Sequence, residues 1–189
     1  MGANLHSYSI ILMLVVLQLH QSNGANCPPD WTTFNSHCYL YVEKYTDWLS
    51  AKGDCEGRGA GLASIHSSEE NEFITTLTGG NVRVWIGLDD VAAEGDFTWT
   101  DGSLLNFTNW GSNQPDNADN DEHCVDFNWR DPGIWNDYTC RSAHPFVCKI
   151  SSTDWTMECI SGPCQNGGQC TSSGTGFTCT CAFGWEGTN

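Results

Sequence analysis

Apolar positions along this chain change their period several times, and each change marks an element. From Ile10 to Leu19 they form one nearly unbroken run, followed by Ser22-Asn23-Gly24-Ala25. A run this short, with small residues behind it, reads as a secretory signal peptide over residues 1–24 and falls short of a membrane span. Trp48, Ala51 and Cys55 share one face at helical spacing, which predicts a helix over Thr46 to Glu56. Ser67 to Glu70 is a capping box, and Phe73, Ile74 and Leu77 behind it form the apolar stripe of a second helix. Gly79-Gly80 stops that helix. Val84 to Leu88 is a run of β-branched and aromatic residues, the mark of a buried strand. Phe97 to Thr100 is another strand, closed by an Asp101-Gly102 turn. Cys124 to Asn128 and Phe146 to Ile150 complete a sheet. Helices come first and strands follow, without βαβ alternation, so the expected class is α+β.

One stretch obeys neither period. Asn113 to Glu122 is almost all side-chain oxygen, broken only by Pro115 and Ala118. Carboxylates removed from water must be paired or bound to a cation. Calcium, a hard cation taking six to eight oxygens, meets that need. The Gln114–Pro115 bond is a candidate cis peptide, because X–Pro bonds are the cheap ones to place cis.

The formal net charge of -16 sharpens this picture. It disfavours nucleic acid and other polyanions as partners and favours a divalent cation. Eleven cysteines in a secreted chain imply disulfides rather than zinc, and no C-x2-C pair is present. They divide the chain into a first unit over residues 27–150, a linker over 151–158 and a small second unit over 159–189. Six histidines show no metal spacing; His6 and His20 lie in the signal segment and the rest read as surface or loop residues.

The first unit resembles a C-type lectin-like domain in its long form, on features in a fixed order. These are six cysteines, the Trp85-Ile86-Gly87-Leu88 strand, Trp110 ahead of Gln114-Pro115-Asp116, and Trp135-Asn136-Asp137 ahead of Cys140. The resemblance implies two helices, antiparallel sheets and a long calcium-binding loop. It also implies the pairs Cys27–Cys38, Cys55–Cys148 and Cys124–Cys140. The second unit resembles an epidermal-growth-factor-like (EGF-like) module through Cys159, Cys164, Cys170, Cys179 and Cys181. That family pairs Cys159 with Cys170 and Cys164 with Cys179. A sixth cysteine is due just after Asn189, so Cys181 is left unpaired: the sequence is a fragment, or Cys181 bonds another chain. No calcium is expected in this module.

By resemblance, Gln114, Asp116, Glu122, Asn136 and Asp137 hold calcium and bind carbohydrate together, supplying two amides and three carboxylates. Two sugar hydroxyls take the remaining positions on the ion. In the family the Gln-Pro-Asp order accompanies galactose-type ligands and Glu-Pro-Asn mannose-type ones; mannose-type sugars are the alternative if that rule does not govern. Strong galactose binders place an aromatic ring after the triplet, where this chain has Asn117 to Asp121. Trp129 or Tyr138 is the ring available nearby, whereas Trp110 and Trp135 read as packing residues. The Cys124–Cys140 segment is longer than usual at Arg130 to Gly133. A second calcium is implied at Asp90, Glu94, Asn117 and Glu122, with His123 replacing an expected carboxylate. Asn106-Phe107-Thr108 is a glycosylation sequon.

Function follows as a secreted, extracellular, calcium-dependent lectin with glycans as partners, on a glycoprotein or microbial surface, and not an enzyme. No acid–nucleophile pair or Ser/His/Asp arrangement is legible. The alternative is a protein–protein adhesion module on the same fold, since fold alone does not settle function.

Overall fold

The computed structural model describes residues 27–154 in full, and strands 169–173 and 176–180 by their backbone. The order is β1 (Thr32–Phe34), β2 (His37–Thr46), α1 (Trp48–Gly57), β3 (Gly61–Leu62), α2 (Ser68–Thr78), β4 (Val84–Asp89), β5 (Thr98–Trp99), β6 (Cys124–Phe127), β7 (Trp135–Tyr138) and β8 (His144–Ser151). The α+β class holds, with a correction: the long strand β2 precedes both helices. It starts from alternating Tyr and aliphatic residues that suit a pleated surface, and it carries through Thr46. The first helix therefore begins at Trp48, where the Asp47 carboxylate caps the Ser50 N–H at 2.9 Å.

The main sheet runs β1-β2-β8-β4-β6-β7, with β3 on β8 and β5 on β4. Its pairs are antiparallel except β4 against β8, where Trp85 lies opposite Phe146. The Trp-Ile-Gly-Leu strand is central and buried throughout. Its Gly87 is required by a close approach: a Cβ there would stand 2.6 Å from the Leu62 carbonyl oxygen and 2.8 Å from Thr100 Oγ1. One core group gathers Tyr39, Ile65, Ile74, Ile86, Val125 and Trp135. The other joins Trp48, Ala51, Trp85 and Phe146 to the Cys55–Cys148 bond. The three expected disulfides of the first unit all form.

Helix α2 is capped by Ser67, whose hydroxyl accepts from Glu70 N at 3.2 Å. Glu70 does not close the box on Ser67 itself. Its carboxylate accepts from His66 N (2.8 Å), Tyr39 Oη (2.5 Å) and Lys149 Nζ (2.6 Å), so it ties the helix to β2 and β8. Burial pushes this carboxyl up, but the Lys149 ammonium and the Tyr39 hydroxyl more than offset that, leaving it below its ordinary value.

In the second unit, β9 (Gln169–Ser173) and β10 (Gly176–Thr180) pair antiparallel and bring the backbones of Cys170 and Cys179 opposite each other. The expected pairs Cys159–Cys170 and Cys164–Cys179, the unpaired Cys181 and the signal segment lie outside the described residues.

Candidate functional site

Strands β6 and β7 are the platform. Cys124 to Phe127 pairs with Trp135 to Tyr138, and the Cys124–Cys140 disulfide ties their outer ends. The oxygen-rich loop is docked beside them at its start: Trp135 N donates to Asn109 O (2.9 Å) and Gly111 N to Trp135 O (2.9 Å). Trp110 and Trp135 pack edge to face with centroids 5.8 Å apart, a structural role for both. The Gln114–Pro115 peptide is cis, as expected.

Asp137, buried on β7, pins the loop. Its Oδ1 accepts from Asp116 N at 3.1 Å and its Oδ2 from Asn117 N at 2.7 Å. The loop then closes on itself: Asn117 Oδ1 accepts from Glu122 N (3.1 Å) and Glu122 Oε2 accepts from Ala118 N (3.1 Å). Asn117, Asp119 and Asn120 have φ of 41°, 58° and 54°. Among residues with a side chain, Asn and Asp tolerate that left-handed region best. The polar composition of the loop thus serves its backbone as well as its chemistry.

These bonds bring three carboxylates together. Oxygens of Asp116, Glu122 and Asp137 lie within 4.8 Å of one another. Burial raises the Glu122 carboxyl above its ordinary value, with the charges of Asp137 and Asp116 adding to the rise. Burial likewise raises Asp137, partly offset by its bonds to the loop N–H groups. On the same loop, Gln114 Oε1 is buried and accepts no hydrogen bond. Asn136 is 3% exposed, and its Nδ2 donates to Asp137 O. An orphaned acceptor and three mutually repelling carboxylates form a group that a cation would suit. The donor set is all oxygen, which fits calcium.

The second expected group divides. Asp90 and Glu94 meet His123, with ligand atoms within 4.8 Å of one another, whereas Asn117 and Glu122 are bonded to each other around the first cluster. Neither ring offered for sugar stacking has both faces open. Arg83 lies 4.0 Å over Tyr138, and Arg130 lies 4.0 Å over Trp129, which also packs against Gly111. Asn106 is exposed, with its Oδ1 3.2 Å from His66 Nδ1. His144 is half-buried on β8 against Trp85, so it is not a loop residue, and burial lowers its pKa to about 4.

Sequence reasoning passed over the ion pair beneath the platform. Arg83 is bonded to Asp126, which is fully buried and lies across the ladder from Asn136. Burial pushes the Asp126 carboxyl up against the pull of that guanidinium. The partners are 43 residues apart, so no local pattern announces the pair.

Similarity to known proteins agrees with this architecture. The Lectin C-type domain profile matches residues 44–150, and the EGF-like domain profile matches residues 159–189. The galactose-specific lectin nattectin of Thalassophryne nattereri is 38% identical over 128 residues, covering 66% of this chain and 80% of that one. The alpha-N-acetylgalactosamine-specific lectin of Patiria pectinifera is 42% identical over 147 residues, covering 68% and 84%. Among solved structures, the cow C-type carbohydrate-recognition domain of CD23, determined with a GlcNAc2Man3 oligosaccharide, aligns with a TM-score of 0.63. It is 37% identical, over 67% of this chain and 96% of that one. The chain belongs to the C-type lectin family, with an EGF-like domain following the lectin domain. It is a carbohydrate-binding protein by family, not an enzyme.

Proposed function

We propose that this is a secreted, calcium-dependent lectin for galactose-type sugars, its site formed by Gln114, Asp116, Glu122, Asn136 and Asp137. The observation that carries the reading is the buried, partnerless oxygen of Gln114 on the loop that gathers three repelling carboxylates. Bound calcium supplies the charge that holds those oxygens together and open positions for two vicinal hydroxyls. The protein's part is orientation. Asp137 fixes the loop through two backbone N–H groups, Glu122 closes it, and β7 carries Asn136 and Asp137 rigidly. Side-chain amides then donate to, and carboxylates accept from, the same hydroxyls.

Galactose-type preference rests on the order of groups. Gln114 brings a donor and Asp116 only acceptors, and relatives named for galactose and N-acetylgalactosamine support that choice. With both nearby rings stacked on guanidinium groups, a single site binds weakly, and several copies on one surface raise avidity. The site suits terminal sugars on a glycoprotein or a microbial surface. No helix among the described residues is long and apolar enough to cross a membrane. A glycan array with and without chelator tests the reading, with Asp116→Ala as control. Galactose-type signals that vanish with chelator and in the variant support it. Retention of unchanged strength in chelator defeats it.

A further inference from the structure

A second group of metal-ligating side chains lies at the junction of β4 and β6, and its chemistry differs from that of the oxygen-rich loop. His123 Nδ1 is 3.1 Å from Asp90 Oδ1 and 3.4 Å from Glu94 Oε2. Two carboxylates therefore meet at one ring nitrogen. That nitrogen carries at most one proton and can serve only one of them well. The Asp90 side chain is wholly buried and held in place by its surroundings: its Oδ2 accepts from Gly95 N at 2.7 Å, and Asp90 N donates to His123 O at 3.1 Å. Glu94 is half-exposed and free to adjust.

The donor set distinguishes between cations, and the spacing is one that zinc can accept. Four-coordinate zinc sits about 2.0–2.1 Å from nitrogen and oxygen ligands, which places neighbouring ligand atoms about 3.3 Å apart. The two separations at His123, 3.1 and 3.4 Å, bracket that value. Calcium asks for about six to eight hard oxygens at about 2.3–2.6 Å, and an imidazole nitrogen is a poor member of such a set. His123 also borders an open cavity of about 420 Å³ beside Trp48, Leu49 and Val91, which gives a water molecule access as a further ligand.

We propose that Asp90, Glu94 and His123 form a zinc site, separate from the oxygen-rich loop, in which the imidazole has turned the position from calcium toward a first-row transition metal. The inference does not rest on the sugar-binding reading, and its test leaves that site filled. The full chain, with any free thiol alkylated so that Cys181 cannot compete, is titrated with zinc in a calorimeter under saturating calcium. One zinc per chain is expected. His123→Ala and the exposed Glu94→Gln should each weaken it tenfold or more with unchanged melting temperature, and His123→Asp should exchange zinc for an additional calcium. Cobalt bound there should show the intense visible bands of a four-coordinate ion. Zinc uptake that is absent, or equal in the parent, His123→Ala and Glu94→Gln proteins, overturns the proposal and leaves an ordinary hydrogen-bonded histidine.

Discussion

Neutralising Glu122 should make the calcium-free protein more stable and the calcium-binding protein worse. Folding forces its carboxylate to within 4.8 Å of those of Asp116 and Asp137. Two unit charges at that separation repel by about 3.5 kcal/mol at an effective dielectric of 20 and by about 0.9 kcal/mol in water. Glu122 and Asp116 are both partly solvated, so the lower end applies, about 1 kcal/mol for each pair. Linkage gives the same sign: a carboxyl raised on folding loses stability as pH climbs from its ordinary value through the raised one. Glu122→Gln keeps an oxygen for the Ala118 N–H and removes both repulsions. The calcium-free protein should gain about 2 kcal/mol, raising its melting temperature by about 6–10 °C. In the same variant calcium loses one of three charges, and its affinity should fall at least tenfold, about 1.4 kcal/mol. Differential scanning calorimetry in chelator and calcium titration calorimetry read the two halves. A variant less stable without calcium, or one whose calcium affinity stays within twofold, would show Glu122 to be an ordinary structural carboxylate and refute the reasoning.

Acid should release calcium and sugar together, beginning above the ordinary carboxylate range, because Glu122 and Asp137 are both raised and must lose protons to bind; calcium titrations across pH 4 to 7.5 check this. Global stability should show another acid dependence through Glu70, whose depressed carboxyl stabilises the fold above its ordinary value of 4.5 and loses that contribution as pH falls below it. Glu70→Leu leaves the buried Lys149 ammonium without its carboxylate, held only by Ser64, and urea denaturation should report a loss of about 3–5 kcal/mol. Gly87→Ala drives a methyl into the Leu62 carbonyl and should cost about 1–3 kcal/mol in the same assay.

Elements whose signals are local were legible in the sequence. The Ser67 cap, the α2 stripe, the Val84 to Leu88 strand and the Gly79 stop (φ 74°) all appear where short-range pattern places them. The loop was legible for the same reason, since its oxygens crowd into ten consecutive residues. Strand β2 was not, because its outer positions face solvent in part and dilute the apolar alternation. Contacts across the sheet were also hidden. His123 meets Asp90 from 33 residues away, and Asn117 turns back to Glu122 instead of reaching that group. The path of Glu70 past its own helix cap to Lys149 spans 79 residues. Long-range pairings of this kind arise from strand order, which hydrophobic period alone does not encode.

The most direct measurement is a crystal structure of the protein grown with calcium and galactose. One ion should be ligated by Gln114, Asp116, Glu122, Asn136 and Asp137, with two adjacent galactose hydroxyls completing its shell. Galactose seated elsewhere, or an ion in that loop with no hydroxyl on it, would contradict the account.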